Sequence, residues 1–302
     1  MTKPYRAILV GNGTMGKRHR VRFEACGVQF VAVADNRAEF ENVAGKMDDV
    51  DFAVVASPAT THYAYAKFFL ERCIPVFVEK PIATAADEAD ELVQLSEKSG
   101  TLLFVAQSEC YNPLFLNFRK HFVAELNRRR DDCGDCDGVR LEFRREHRHS
   151  ERCRDVNVAL DLLVHDLSLF FTMFRSQDAK VEWFKVGKKT SGSPDEFDSA
   201  LLRLRLDSGD FRGVVSDFYV NRNSGCDVRT ISVDFKREKS SPESNYTVSL
   251  ARYTQDGEID HVPDSLDNEH RFFLKLLAGA CRDLGLRAAR TAAECVKFAV
   301  SR

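Results

Sequence analysis

The first hundred residues alternate short apolar runs with helical patterns, and no other feature of the chain constrains its fold as strongly. The runs Ala7 to Val10, Phe30 to Ala34, Phe52 to Ala56, Val76 to Val78 and Leu102 to Ala106 have the length of strands. Their continuous apolarity is that of strands covered on both faces. Amphipathic stretches such as Ala85 to Lys98 separate them. Parallel neighbours need a crossover, which a helix supplies, so residues 1–110 are expected to form a doubly wound α/β domain.

After Asn112-Pro113 the pattern changes to a long helix reaching about Arg130, a polar turn from Asp131 to Gly138, and a strand from Val139 to Arg145. An apolar helix from Val156 to Phe174 follows. Alternating segments come next, at Val181 to Val186, Ala200 to Leu206, Phe211 to Phe218, Val228 to Phe235 and Tyr246 to Ala251. Alternation implies antiparallel strands with one solvated face. Residues 111–302 therefore read as an α+β domain with an open, mostly antiparallel sheet, whose final helices (Leu266 to Leu284 and Ala288 to Val300) can pack back on the first domain.

Composition narrows the partners. The 302 residues carry a net charge of -2 from nearly balanced acids and bases, so no overall field favours nucleic acid or an anionic membrane. No apolar run has the length of a membrane span and no apolar segment of signal-peptide type follows Met1, so a cytoplasmic protein is expected. Nine cysteines without regular spacing read as reduced thiols. Cys133 and Cys136, with His147 and His149 downstream, have poor zinc spacing, and no metal is expected.

Gly11-Asn12-Gly13-Thr14-Met15-Gly16 follows the first strand and opens a helix. In that context the glycines make a tight turn, admit a pyrophosphate to the backbone, and place it at a helix N-terminus. The second strand ends at Asp35, nineteen residues after Gly16, where a carboxylate can bind the ribose hydroxyls. The first domain is thus a Rossmann dinucleotide-binding domain. Asp35 favours NAD, and Arg37 leaves NADP open.

Two further features carry chemistry. Lys80 stands at the carboxyl end of the fourth predicted strand, on the edge where open α/β sheets bind ligands. Asp161 and His165 lie one turn apart on the apolar helix, where ionisable groups are expensive. A core histidine tied to an acid is one explanation, and an acid–base pair is the other.

The chain resembles the Gfo/Idh/MocA oxidoreductase family. The resemblance rests on G-N-G-T-M-G-K-R-H at Gly11 to His19, S-P-A-T-T-H at Ser57 to His62, E-K-P at Glu79 to Pro81, and D-L-L-V-H-D at Asp161 to Asp166. It implies that Ser57, Pro58, His62, Glu79 and Lys80 join the glycine turn and Asp35 at the cofactor, and that Lys80, Asp161 and His165 surround the reacting carbinol. It also implies that the Lys80-Pro81 peptide is often cis. Oxidising a secondary alcohol requires loss of the hydroxyl proton, which an imidazole can accept at neutral pH. His165 is the expected base, with Lys80 on the carbinol oxygen and Asp161 on a neighbouring hydroxyl or the imidazole. Lys80 can equally be the final base.

Further resemblance points to substrate. S-E-C-Y-N-P at Ser108 to Pro113 and R-C-R-D-V-N-V at Arg152 to Val158 are similar to S-E-R-F-N-P and R-I-R-D-V-G-V of members that oxidise the C3 hydroxyl of UDP-N-acetylglucosamine. Tyr111, Asn112, Arg152, Arg154 and Asn157 are accordingly expected on the substrate, and a downstream aminotransferase as a partner. Arg144, Arg145, Arg148, Arg152 and Arg154 could face a diphosphate, but Glu142, Glu146, Glu151 and Asp155 are interleaved with them and could pair them off. Cys110 and Asn157 depart from the related motifs. An inositol, a free sugar or another nucleotide sugar is the alternative substrate, and a non-catalytic NAD-binding regulator the alternative class. A homo-oligomer, dimer or tetramer, is expected by the same resemblance.

Overall fold

The computed structural model describes residues 3–45, 47, 49–148, 155–187, 197–235, 245–250, 252–253, 259–260, 265–280 and 282–300. The chain divides into two units, Met1–Ser108 with Leu266–Lys297, and Glu109–Ser265 with Phe298–Arg302.

In the first unit β1 (Arg6–Val10), β2 (Gln29–Ala34), β3 (Phe52–Val55), β4 (Val76–Glu79) and β5 (Leu103–Ala106) form one parallel sheet in the order β2-β1-β3-β4-β5. Every residue of β3, β4 and β5 is buried, as continuous apolarity requires. The crossovers carry α1 (Thr14–Ala25), α2 (Arg37–Ala44), α3 (His62–Leu70) and α4 (Ala86–Ser99). Asn36 starts α2 by accepting from the Glu39 amide, and Gly100 ends α4 at φ 66°. The strand order reverses beside β1, which puts a crevice at the carboxyl ends of β1 and β3.

The chain returns to this unit through α7 (Ser265–Leu277) and the first part of α8 (Arg282–Val300). Phe273 on α7 is fully buried, with ring centroids 5.0 Å from Phe52, 5.3 Å from Phe77 and 5.5 Å from Phe104. Such edge and tilted contacts each contribute about 0.5–1.5 kcal/mol beyond burial. They hold α7 on the parallel sheet.

The second unit has a six-stranded sheet built from β6 (Val139–Arg148), β7 (Ala179–Val186), β8 (Ser199–Leu206), β9 (Val215–Ser224), β10 (Val228–Phe235) and β11 (Tyr246–Ser249). Its order is β11-β10-β6-β9-β8-β7, antiparallel except where β6 meets β9. The expected strand from Phe211 begins only at Val215, because Gly209 and Gly213 both adopt positive φ in a turn. Phe143 and Phe218 stack at 4.7 Å, and Phe170 meets Phe218 at 5.6 Å. That aromatic layer joins the sheet to α6 (Val164–Met173). Before it, α5 (Pro113–Cys133) is capped by Asn112 and stopped by Gly134 at φ 81°.

The apolar helix expected from Val156 differs in one respect. Ala159–Leu163 is a π-helical turn, and α6 starts only at Val164. All five residues of that turn, Asp161 among them, are buried, so no exposed position marks the wider period. Asn157 caps it, its Oδ1 accepting from the amides of Ala159 and Leu160 at 3.0 and 3.1 Å.

Candidate active site

In the first unit the glycine turn is fixed by close packing. A Cβ on Gly11, at φ +91°, would lie 2.4 Å from the Ser57 amide nitrogen, and one on Gly16 would lie 1.9 Å from the Gly11 carbonyl. Gly13 differs, since nothing lies within 4 Å of where its Cβ would be. The first two glycines therefore serve strand, turn and helix packing, while Gly13 keeps the approach open for a bulky anion. No side chain caps α1 at Gly13 and no acid stands in its first turn, so its amides and dipole suit a pyrophosphate. Asn12 and Met15 are half-buried and Thr14 is exposed on the same turn.

Asp35, exposed at the end of β2, accepts from the Asn12 amide with Oδ1 at 2.6 Å. The carboxylate is thus held beside the glycine turn, with Oδ2 left for a ribose hydroxyl. Arg37 is turned to its own helix: its Nε donates to Glu41 Oε1 at 2.8 Å on an exposed face. These residues fit a dinucleotide without a 2'-phosphate.

The loops after β3 and β4 are tied together beside the turn. Ser57 Oγ and Thr61 Oγ1 are 2.7 Å apart, and Thr61 Oγ1 donates to the Pro58 carbonyl. His62 is buried with Nδ1 2.7 Å from the Pro81 carbonyl and Nε2 2.9 Å from the Ser57 carbonyl. Carbonyls only accept, so whichever ring nitrogen carries a proton donates to one of them, and the ring packs between the two loops. The Lys80-Pro81 peptide is cis. Lys80 is half-buried at this edge. Glu79 is turned inward: Oε1 meets His19 Nε2 at 2.7 Å and Oε2 accepts from the Lys80 amide at 3.0 Å. Burial alone would raise its carboxyl, but the His19 bond and the charges of His19, Lys80 and His62 hold it below the usual range.

In the second unit Asp161 is buried in the π turn and His165 half-buried at the start of α6, one helical turn later. Asp166, next to His165, is held by a wholly buried guanidinium. Arg145 Nε and Nη2 donate to Asp166 Oδ1 at 3.0 and 2.8 Å, and Nη1 donates to Glu109 Oε1 at 3.1 Å. Arg229 Nη1 reaches the same Glu109 oxygen at 2.9 Å. Burial works against the Arg145 charge, but Asp166 and Glu109 keep it protonated. Glu109 follows the reverse logic: burial would raise it, and the two arginines hold it low. The network clamps the segment before α5 to β6 and α6.

His147, next to last in β6, has its pKa lowered to about 4, first by burial and then by Arg229 and Arg145, against the pull of Asp227 and Asp161. It is a neutral imidazole near Asp161. Sequence reasoning missed this histidine's environment and the clamp. One signal existed: Val139, Leu141, Phe143 and Arg145 share the inward register of β6.

Other expected residues are engaged within the second unit. Asn112 is buried, its Oδ1 capping α5 through the Leu114 amide while Nδ2 donates to the Leu250 carbonyl at 2.9 Å. Tyr111 is half-buried beside it. Arg144 pairs with Glu146, and Arg148 donates its amide to Asp227 Oδ1 at 3.1 Å. Arg152, Arg154 and His149 lie outside the described residues. Cys133 is exposed and Cys136 buried, and among the described residues no group of three metal-ligating side chains converges.

The chain is similar to several known proteins. Residues 15–107 match an oxidoreductase family with an NAD-binding Rossmann fold. UDP-N-acetylglucosamine 3-dehydrogenase of Acidithiobacillus ferrooxidans is 24% identical over 214 residues, 67% of this chain and 63% of that protein. Inositol 2-dehydrogenase of Acidothermus cellulolyticus is 27% identical over 239 residues, 72% of this chain and 66% of that protein. The chain thus aligns with slightly under two thirds of each relative's length. The solved structure of the Acidithiobacillus ferrooxidans enzyme superposes with a TM-score of 0.71 at 20% identity, over 99% of this chain and 98% of that one, which shows a shared fold. Residues 15–107 are thus similar to the NAD-binding domain of the Gfo/Idh/MocA oxidoreductase family.

Proposed function

We propose that the chain is an NAD-dependent dehydrogenase that oxidises a secondary hydroxyl of a sugar, with C3 of UDP-N-acetylglucosamine as the substrate position favoured. The observation that carries the redox reading is the placement of Lys80, half-buried at the carboxyl end of β4, in the same unit as a glycine turn and carboxylate that fit NAD. Bound NAD would supply the hydride acceptor. The protein groups handle the proton: as C–H hydride leaves and the carbinol becomes a carbonyl, the hydroxyl proton passes to His165 or Lys80. Lys80 steadies the negative charge developing on that oxygen, and Asp161 orients a neighbouring hydroxyl or the imidazole.

The choice of substrate draws on the relative from Acidithiobacillus ferrooxidans and on the motifs at Ser108 to Pro113 and Arg152 to Val158. A 3-keto sugar is the substrate class of an aminotransferase, which would yield a 3-amino sugar for lipid A or a surface glycan. The inositol dehydrogenase relative supports a second reading, with a free polyol as substrate. A homo-oligomer assembled in the cytoplasm completes the proposal. No described helix is long and apolar enough to cross a membrane.

Incubation of the purified protein with NAD and UDP-N-acetylglucosamine, with and without 2-oxoglutarate to reoxidise the cofactor, tests the reading. The expected product is a sugar two hydrogens lighter. Product from inositol but not from the nucleotide sugar would select the second reading, and no cofactor reduction with either would overturn the enzymatic one.

A further inference from the structure

The aromatic core of the first unit contains one polar thread. His270 on α7 places Nδ1 2.5 Å from the Leu266 carbonyl and Nε2 3.0 Å from His19 Nδ1. His19 on α1 places Nε2 2.7 Å from Glu79 Oε1, and Glu79 Oε2 accepts from the Lys80 amide. Both imidazoles are fully buried. Phe23 and Phe77 pack on His270 at 4.3 and 5.3 Å, and Phe77 on His19 at 5.0 Å.

The acceptors fix the proton count. The Leu266 carbonyl can only accept, so His270 Nδ1 carries a proton; one more lies between the imidazoles and a third between His19 and Glu79. Three protons leave the thread neutral in every arrangement. Either Glu79 is a carboxylate facing one imidazolium, or the proton has crossed to Glu79 and both imidazoles are neutral. Neighbouring Glu269 does not compete for the anionic role. It is fully buried, and burial, then the charge of Glu79, push its carboxyl well above the usual range, against a backbone hydrogen bond from Gln107.

A thread of ionisable groups is an expensive filling for an aromatic core, where another phenylalanine would need no desolvation. This one ends on the backbone of Lys80. We propose that Glu79, His19 and His270 are positioning residues of the dehydrogenase, which hold the Lys80 peptide and set the charge beside it while linking it to α1 and α7; this rests on Lys80 being an acid–base group of the reaction. The groups facing Glu79 are His19 from α1, His62 from α3, Lys80 from its own strand end, and Glu269 with His270 from α7.

Four variants of the full chain test it, each checked for a cooperative melt. His19→Leu and His270→Phe cut the thread while keeping an apolar fill, and are expected to lower kcat at least tenfold with KM for NAD changed less than threefold. His19→Gln, whose amide can both donate to Glu79 and accept from His270, should restore most of kcat. Glu79→Gln keeps the hydrogen bonds but removes the anion, so the limb of the kcat–pH profile set by Lys80 should move to lower pH. Folded variants with wild-type kcat and pH profile would overturn the proposal, as would equal loss in His19→Gln and His19→Leu. If the wild type turns over no sugar, the assignment of Lys80 has failed, and the thread is then judged by imidazole 15N spectra. Coupled, exchange-protected His19 and His270 N–H signals that move together in Glu79→Gln support a proton-sharing thread. Independent titration of the two rings overturns it.

Discussion

At the scale of single residues, the proposed function gives cofactor choice to Asp35 and proton transfer to Lys80 or His165. Asp35 accepts from the Asn12 amide, keeping a carboxylate beside the glycine turn that would repel a 2'-phosphate, while Arg37 is engaged with Glu41. Wild-type protein should therefore prefer NAD, and Asp35→Ser should lower the NAD:NADP ratio of kcat/KM by tenfold or more; an unchanged ratio would show that Arg37 decides. His165→Ala and Lys80→Ala should each lose about 10²–10⁴ in turnover while calorimetry still detects NAD binding. Near-normal turnover in either variant removes that residue from the chemistry. The glycine turn, Asp35 and the E-K-P lysine were legible because their meaning depends on spacing within a single strand–turn–helix unit. Asn157 was legible only as a departure from a related motif. Its role as the cap of the π turn depends on where its Oδ1 points.

At the scale of elements, the clamp between β6, α6 and the segment before α5 is the most exposed to mutation. Arg145→Ala would leave Glu109 and Asp166 as buried acids without their main partner, and removing one member of a buried ion pair costs about 3–5 kcal/mol. Urea denaturation should read a loss of that size, and a loss below about 1 kcal/mol would mean the network relaxes into water. His147 gives these elements a pH dependence. Its ordinary value is 6.5 and its folded value about 4, so between those pH values the unfolded chain takes up a proton that the folded chain does not. Stability should fall as pH drops through that window, and His147→Gln should flatten this part of the curve. An identical slope in the variant would place the effect elsewhere. Sequence pattern found β6 and its alternation but not this clamp, because the partners of Arg145 lie 21 and 36 residues away. Charge interleaving along the strand pointed instead to surface pairs, which describes Arg144 and Arg148 but not Arg145.

At the scale of the molecule, hydrophobic period was enough to distinguish a parallel sheet from a mostly antiparallel one. Period says nothing about which strands become neighbours, so the parallel pairing of β6 with β9 inside the second sheet could not be read from it. The same limit applies to α7, whose His270 meets a histidine 251 residues earlier. Contacts of that separation leave no local pattern, and they are what returns 266–297 to the first unit. The central claim is that this two-unit chain moves a hydride from a sugar carbon to NAD. UDP-N-acetylglucosamine deuterated at C3, incubated with the protein and NAD, tests it most directly by mass spectrometry of the reduced cofactor. The account predicts reduced nicotinamide carrying the deuterium and a 3-keto sugar lacking it. Reduced cofactor without deuterium, or deuterated sugar recovered unchanged beside oxidised NAD, would contradict it.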